Sequence, residues 1–262
     1  MSSQPIQKKK DNSWDETIRT VLIAVLLAVM FRSFAFEPFH IPSGSMKSTL
    51  LVGDYLFVSK YAYGYSRYSF PFGLPLFEGR VFEHEHPKRG DIVVFREPAD
   101  TRIDFIKRVI GLPGDSIQVK DGLLYINGEP VQRQHIDDFT DDENKNNVRT
   151  IAQFKETLPG GKTITILKQY PHLMMPLDSF DPIYTVDDTP VFVVPAGHYF
   201  MMGDNRDNSH DSRFPDLRYV PEENIVGRAE IIFFSTNGMA HWDNPASWFE
   251  AMRFDRFFTR LR

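Results

Sequence analysis

The chain contains no cysteine, which excludes disulfides, thiolate nucleophiles and thiolate metal sites together. That absence does not fix the compartment, because an exported protein of 262 residues can do without disulfides. The N-terminal apolar run, residues 21–31, is only eleven residues long, whereas a helix needs about 20 to cross a bilayer. Basic charge is in deficit: 30 Lys and Arg face 35 Asp and Glu, for a net −5. Residues 1–20 carry +1 and residues 246–262 carry +2, leaving −8 on the body between them. So acidic a body has no general attraction for nucleic acid. Internal repeats and βαβ alternation are absent as well. What the chain has in excess is aromatic rings, 14% of its residues with 23 Phe, as expected of a sheet-rich or membrane-facing protein.

The short apolar run can be extended. If Arg19 and Arg32 snorkel to opposite interfaces, residues 18–36 form a transmembrane anchor of roughly 28 Å at about 1.5 Å per residue. The competing reading is a cleavable leader, with a basic n-region, a short apolar h-region and Ser33-Phe34-Ala35 as its cutting site. A buried core helix is a third. Lys8, Lys9, Lys10 and Arg19 on the N-terminal side favour an inside N-terminus and an exported body. Residues 1–17 then form a cytoplasmic tail.

Beyond Pro38 the pattern turns to short runs punctuated by turn residues. Strands are expected at residues 55–61, 92–96, 102–110, 116–120, 123–126, 163–168, 189–194, 198–202 and 225–235. Asp121-Gly122 is a hairpin turn and Asn127-Gly128 the next one. Residues 39–49 read as loop, 61–87 as a long aromatic loop or extended hairpin, and 137–147 as an acidic polar loop. The fold class is mainly antiparallel β, preceded by one N-terminal transmembrane helix. A 3.6-residue period returns only at residues 246–262, where Trp248, Phe249, Met252, Phe257, Phe258 and Leu261 suggest an amphipathic helix, either in a membrane interface or docked on the body.

Ser43 and Ser45 flank Gly44 in Ile41-Pro42-Ser43-Gly44-Ser45-Met46, an ordinary turn unless a base lies nearby. Ser209-His210-Asp211 is a triad in letters only, since adjacent side chains of an extended segment point apart. His84-Glu85-His86 could offer two imidazoles but shows no third ligand, and 204–211 fails as an EF-hand loop for want of Gly at its sixth position. Neither G-x-S-x-G nor S-x-x-K occurs at either serine. A Lys base remains. Strand alternation sets Lys107 beside Phe105 and Val109, where lost hydration would lower its pKa and free a neutral amine. Arg108 cannot do this, because a guanidinium does not deprotonate. The alternative for Lys107 is a lysine snorkelling from a half-exposed strand. Lys47 and Lys60 compete for the role, Lys47 being too close in sequence to Ser45 to turn back easily.

Residues 41–46, Gly53-Asp54-Tyr55, the block 88–115 centred on 104–111, and the run 203–213 (GDNRDNSHDSR) together resemble the ordered boxes of bacterial type I signal peptidases. The resemblance covers residues 36–116 and 197–229 well, and the intervening stretch and first 17 residues weakly. It implies a serine endopeptidase with no cofactor or metal, in which Ser45 is the nucleophile and Lys107 the general base. Ser43 would support the oxyanion hole beside the Ser45 N–H, Ser209 would orient the Lys107 amine, and Asp211 with Arg213 would brace the site as an ion pair. Phe39, Ile41, Met46, Leu50, Phe105 and Ile106 fall where the family accepts the small residues of an Ala-x-Ala motif, with core packing as the alternative for each.

The resemblance further implies an antiparallel β catalytic core, residues 37–116 and 196–245, carrying a smaller β insertion domain, residues 117–195. The expected partners are preproteins with signal peptides and membrane lipid, not nucleic acid. The expected place is the bacterial inner membrane, single-pass, with the catalytic domain on the outer face. Some relatives carry two membrane segments and a disulfide, which this chain lacks, and His210 stands where a small residue is common. The rivals are a self-cleaving Ser/Lys repressor, which would need a DNA-binding helical domain, and a non-enzymatic membrane-anchored β scaffold. Ser33-Phe34-Ala35 would also be a place for self-cleavage.

Overall fold

The computed structural model describes residues 13–70, 77–141, 148–169, 185–240 and 243–261. Lys8 to Lys10 and most of the expected cytoplasmic tail lie outside these residues, as do parts of the acidic loop and of the insertion.

Helix α1 runs Ser13–Phe34, with Asp15 and Glu16 in its first turn and Arg32 in its last, where each sign suits the helix dipole. It starts five residues before the expected anchor and ends two before it, because the polar first turn is helical too. Its 22 residues span about 33 Å, and Leu22, Leu26 and Phe31 stand exposed. Trp14–Phe34 is long and apolar enough to cross a bilayer. Little of this segment is buried in the body, so the reading as a core helix fails.

The chain then enters β1 (Phe36–His40), a single 3-10 turn (Gly44–Met46), β2 (Asp54–Ser59), β3 (Tyr65–Ser66), β4 (Arg80–Val81), β5 (Ile92–Arg96) and β6 (Asp104–Gly111). β7 (Ser116–Lys120), β8 (Leu123–Ile126), β9 (Glu129–Pro130), β10 (Gln132–His135), β11 (Phe139–Asp141), β12 (Arg149–Thr157), β13 (Thr163–Lys168) and β14 (Phe192–Val193) follow. β15 (His198–Met202), β16 (Val220–Pro221) and β17 (Ile225–Ser235) return to the first sheet, and α2 (Pro245–Ala251) and β18 (Thr259–Arg260) close the chain.

The large sheet has the order β1-β2-β17-β5-β6-β15-β16, with β18 added on β17; all its ladders are antiparallel. β5 explains its apolar run by burying both faces. Ile92 and Val94 pack with Ile41, Met46 and Leu50 on one side, and Val93 and Phe95 with Tyr63, Val109 and Tyr199 on the other. β3 pairs with β4 over two residues, the one ladder among the described residues of the aromatic stretch, of which 71–76 lie outside the described residues. Two smaller sheets, β14-β7-β8-β9 and β10-β12-β11 with β13, share a core of Ile117, Leu124, Ile164 and Ile166 with Phe200 of the large sheet. Asp121 and Gly122 turn the β7–β8 hairpin at φ 47° and 70°, both left-handed as a type I′ turn requires.

Three expectations need correction. Phe39 and His40, expected to open the loop 39–49, belong instead to β1, paired with β2 through Phe39↔Leu56. β12 was not expected; its sequence RTIAQFKET mixes polar and apolar residues, and it is fixed by pairing with β10, β11 and β13. The amphipathic helix over 246–262 is confined to Pro245–Ala251. Arg253 and Arg256 draw the chain beyond α2 onto Asp54, at 3.7 and 2.5 Å, and β18 then pairs with β17.

Candidate active site

Ser45 sits on the 3-10 turn, and Ser43 caps it in extended conformation with no side-chain bond to the turn. The turn is held from outside. The Asn205 N–H donates to the Ser45 carbonyl at 3.0 Å, and Asn205 Nδ2 donates to the Gly44 carbonyl at 2.9 Å. Both carbonyls are thus occupied, whereas the Ser45 N–H lies in a first turn, where amides have no partner within the helix. Gly203 lets this approach happen: a Cβ there would overlap the Ser45 carbonyl oxygen and Ser209 Oγ.

Lys107 comes up from β6. Its Nζ is 2.7 Å from Ser45 Oγ and donates to the Ile106 carbonyl at 3.0 Å. The side chain is almost wholly buried, with the Phe105 ring centroid 5.3 Å from Nζ. Burial lowers its pKa from the ordinary lysine value to about 8, against the upward pull of Asp211 and Asp204 and with help from Arg213. The competing lysines are engaged elsewhere. Lys60 Nζ pairs with Glu37 at 2.8 Å and Lys47 Nζ with Asp141 at 2.8 Å. Arg108 points the other way, its guanidinium bonded to Asp204 at 2.6 and 2.8 Å.

Asp211 and Arg213 form a buried pair, with Nε to Oδ1 at 2.8 Å and Nη2 to Oδ2 at 2.9 Å. Burial pushes the Asp211 carboxyl up, but the guanidinium and the Gly203 N–H prevail and hold it below its usual value. Ser209 is buried beside this pair, and its contact helps to lower the Asp211 pKa. Among the described residues Ser209 Oγ has no hydrogen-bond partner of ordinary geometry, so the expected bond to the Lys107 amine is not formed.

Ser45 and Lys107 line a cleft of about 560 Å³. Phe39, Ile41, Phe105 and Ile106 line it, together with Ser43. Met46 and Leu50 do not: they are fully buried in the core behind it, because apolar residues on the inner side of the turn pack against β2 and β5. Asn208 and His210 also line the cleft, and His210 leans on Asp216 at 2.7 Å. The His84-Glu85-His86 segment is exposed; His86 pairs with Glu222 at 2.8 Å and Glu83 at 3.2 Å.

Residues 14–234 match the family described as signal peptidase, peptidase S26. The chain belongs to this family. It is a serine endopeptidase of that class. The signal peptidase I of Rickettsia canadensis is 42% identical over 255 residues, covering 93% of this chain and 92% of that one. That of Rickettsia typhi is 40% identical over 265 residues, covering 97% and 96%. A crystal structure of a signal peptidase I from Enterococcus faecalis aligns at 27% identity with a TM-score of 0.30, covering 55% of this chain and 97% of that one.

Behind the cleft of this S26 peptidase lies a set of buried charges that sequence reasoning missed. Arg206 meets Glu156 of β12 at 2.5 Å, and Lys168 of β13 bonds both Asp187 and Asp207. The run 203–213 alternates charge for this reason: Asp204, Arg206, Asp207 and Asp211 each take a different partner. Those partners come from β6, β12, β13 and position 213, so the run ties the small sheets to the large one. The acid-rich composition of the run was the available signal. Glu156 and Lys168 carried none, standing in ordinary strand sequence.

Proposed function

We propose that this chain is a membrane-anchored signal peptidase that cuts exported preproteins after a small-x-small motif by a Ser45/Lys107 dyad through an acyl-enzyme. The observation that carries the reading is the 2.7 Å approach of Lys107 Nζ to Ser45 Oγ at a site dry enough to bring the amine to about 8. At pH 7 about one-tenth of such an amine is neutral, against less than one in a thousand for an ordinary lysine.

The neutral amine takes the Ser45 proton as Oγ attacks the scissile carbonyl. Negative charge on that oxygen is met by the Ser45 N–H and, after rotation, by the Ser43 hydroxyl. The ammonium then protonates the departing amine, leaving the signal peptide esterified to Ser45. Water, deprotonated by the again-neutral Lys107, releases it. Asp211 and Arg213 brace the run bearing Ser209, whose hydroxyl is available to the amine during the cycle. The apolar walls at Phe39, Ile41, Phe105 and Ile106 favour small aliphatic residues over charged ones.

Anchoring by α1 would put the cleft near the membrane surface, and the basic residues before α1 favour a cytoplasmic N-terminus with the body on the outer face. The test is cleavage of a purified preprotein by the detergent-solubilised chain, with product termini read by mass spectrometry. Ser45→Ala and Lys107→Ala should each lower turnover by at least about 10³-fold while circular dichroism stays unchanged. Turnover surviving in either variant would overturn the dyad.

A further inference from the structure

The sequence leaves Lys47 and the insertion without a role, and their contact supplies one for both. Lys47 Nζ reaches Asp141 at the end of β11 with both carboxylate oxygens in range, 2.8 and 3.0 Å. The two side chains are only 9% and 20% exposed. On the way, the Lys47 stem crosses Gly44: its Cε and Cδ lie 3.0 and 3.3 Å from where a Gly44 Cβ would stand. The Lys47 N–H also donates to the Gly44 carbonyl at 3.1 Å. Asp141 is itself fixed in the insertion by its pairing with Arg149. One residue further on, Ser48 Oγ donates to the Thr165 carbonyl of β13 at 3.1 Å.

We propose that Lys47 and Asp141 are positioning residues, a strap by which the insertion fixes the peptide between Gly44 and Ser45. The inference rests on the reading of Ser45 as nucleophile, since the N–H of that peptide is the proposed oxyanion donor. An oxyanion donor works only when aimed where charge develops, so a peptide free to rock loses rate without losing substrate binding. The strap acts on the turn and not on the base: the charges that set the Lys107 amine are Asp211, Asp204 and Arg213.

The experiment uses the full-length chain in detergent with a purified preprotein. Lys47→Met keeps the stem and removes the ion pair; Asp141→Asn keeps the shape and removes the charge. Each is expected to lower kcat about tenfold with KM within about twofold, and to leave the midpoint of the acid limb at about 8. Lys47→Arg should recover most of the loss, and the double variant should be no slower than Lys47→Met alone, as for two residues acting as one unit. Wild-type kcat in both single variants, a loss confined to KM, multiplied losses in the double, or a shifted acid limb would each overturn the strap. If circular dichroism shows a single variant unfolded, the charge-exchanged pair Lys47→Asp with Asp141→Lys decides, folding with recovered kcat in support and its failure against. Ser45→Ala runs alongside: its turnover would undo the nucleophile reading, whereas an inactive Ser45→Ala with unaffected strap variants would undo the strap alone.

Discussion

Lys107 and Arg108 are neighbours on β6 that face opposite ways, the amine 2.7 Å from Ser45 Oγ and the guanidinium 2.6 Å from Asp204. One strand thus separates a cation that can lose its proton from one that cannot. Arg108 is compensated by Asp204 from the run 203–213, whereas Lys107 feels the carboxylates of Asp211 and Asp204 only at longer range.

The first prediction concerns pH and rate. Only the neutral amine is a base, so kcat/KM should climb tenfold per pH unit on the acid side and level off above about 8. Lys107→Arg should fold and be inactive at every pH. An acid limb near the ordinary lysine value of about 10.4 would show that burial does not tune this group.

The second concerns pH and stability, and its sign is opposite to that of a helpful ion pair. The folded-state pKa of Lys107 lies below its unfolded value. Below about 8 the lysine is charged in both states, and the full cost of burying it is felt; the cost fades as pH rises toward the unfolded pKa. Lys107→Met should therefore raise Tm at pH 7, by the equivalent of on the order of 1–3 kcal/mol. The gain should shrink as the pH approaches about 10. Thermal melts across that range would check it, and a Tm that falls at pH 7 would contradict it.

A third prediction follows from the buried Asp211–Arg213 pair. Asp211→Asn leaves a guanidinium without its counter-charge and should cost about 3–5 kcal/mol in urea melts. Asp211 also raises the Lys107 pKa. In the fraction that folds, the acid limb should move to lower pH. A limb that stays in place would show that this carboxylate braces the run without acting on the amine.

Gly203 offers a fourth. Gly203→Ala would press a methyl group against Ser209 and the Ser45 carbonyl, both held by backbone that packs on either side. We expect turnover to fall at least about 100-fold and Tm to drop, as for overpacking, which costs typically about 1–3 kcal/mol. Activity within twofold of wild type would mean that the turn can shift without penalty.

The last concerns the C-terminus. Asp54 is fully buried, and Arg256 meets it at 2.5 Å while also donating to the Thr49 carbonyl at 2.9 Å. Arg256→Ala, which leaves Asp54 with Arg253 and the Ser235 hydroxyl, should destabilise the protein by about 1.5–3 kcal/mol, measured by denaturant unfolding. A surface-like loss below about 0.5 kcal/mol would place these contacts outside the folding unit.

Much of this architecture was legible because strand signals and turns agreed locally. β5, β7, β8, β13, β15 and β17 occupy the expected residues, each a β-branched or aromatic run between Gly, Pro, Asp or Asn. β12 was hidden because its three neighbours, not its composition, make it a strand. The C-terminal helix misled for a similar reason. Its apolar period over Trp248, Phe249 and Met252 is real, but the arginines that looked like a polar face are drawn to a buried carboxylate 200 residues earlier in the chain, a partner no local pattern reveals. At the site, alternation identified Lys107 as the residue sharing a face with Phe105 and Val109. That Ser45 would meet it, and that Met46 and Leu50 would turn into the core, depended on how the turn docks against residues 203–213.

The junction between α1 and the body bears on how such an enzyme measures its substrate. The Phe34 ring packs edge-on against Tyr65 and Phe70, the Tyr65 hydroxyl donates to the Phe34 carbonyl at 2.7 Å, and Arg32 bonds Glu37 at 2.6 Å. β1 begins after one intervening residue and leads directly toward Ser45. The helix is therefore joined to the body by side-chain contacts as well as by the chain itself, so that a tilt of its axis would carry the cleft with it. On the proposal that α1 spans a membrane, bilayer thickness, by setting that tilt, would bear on which peptide bond comes within reach.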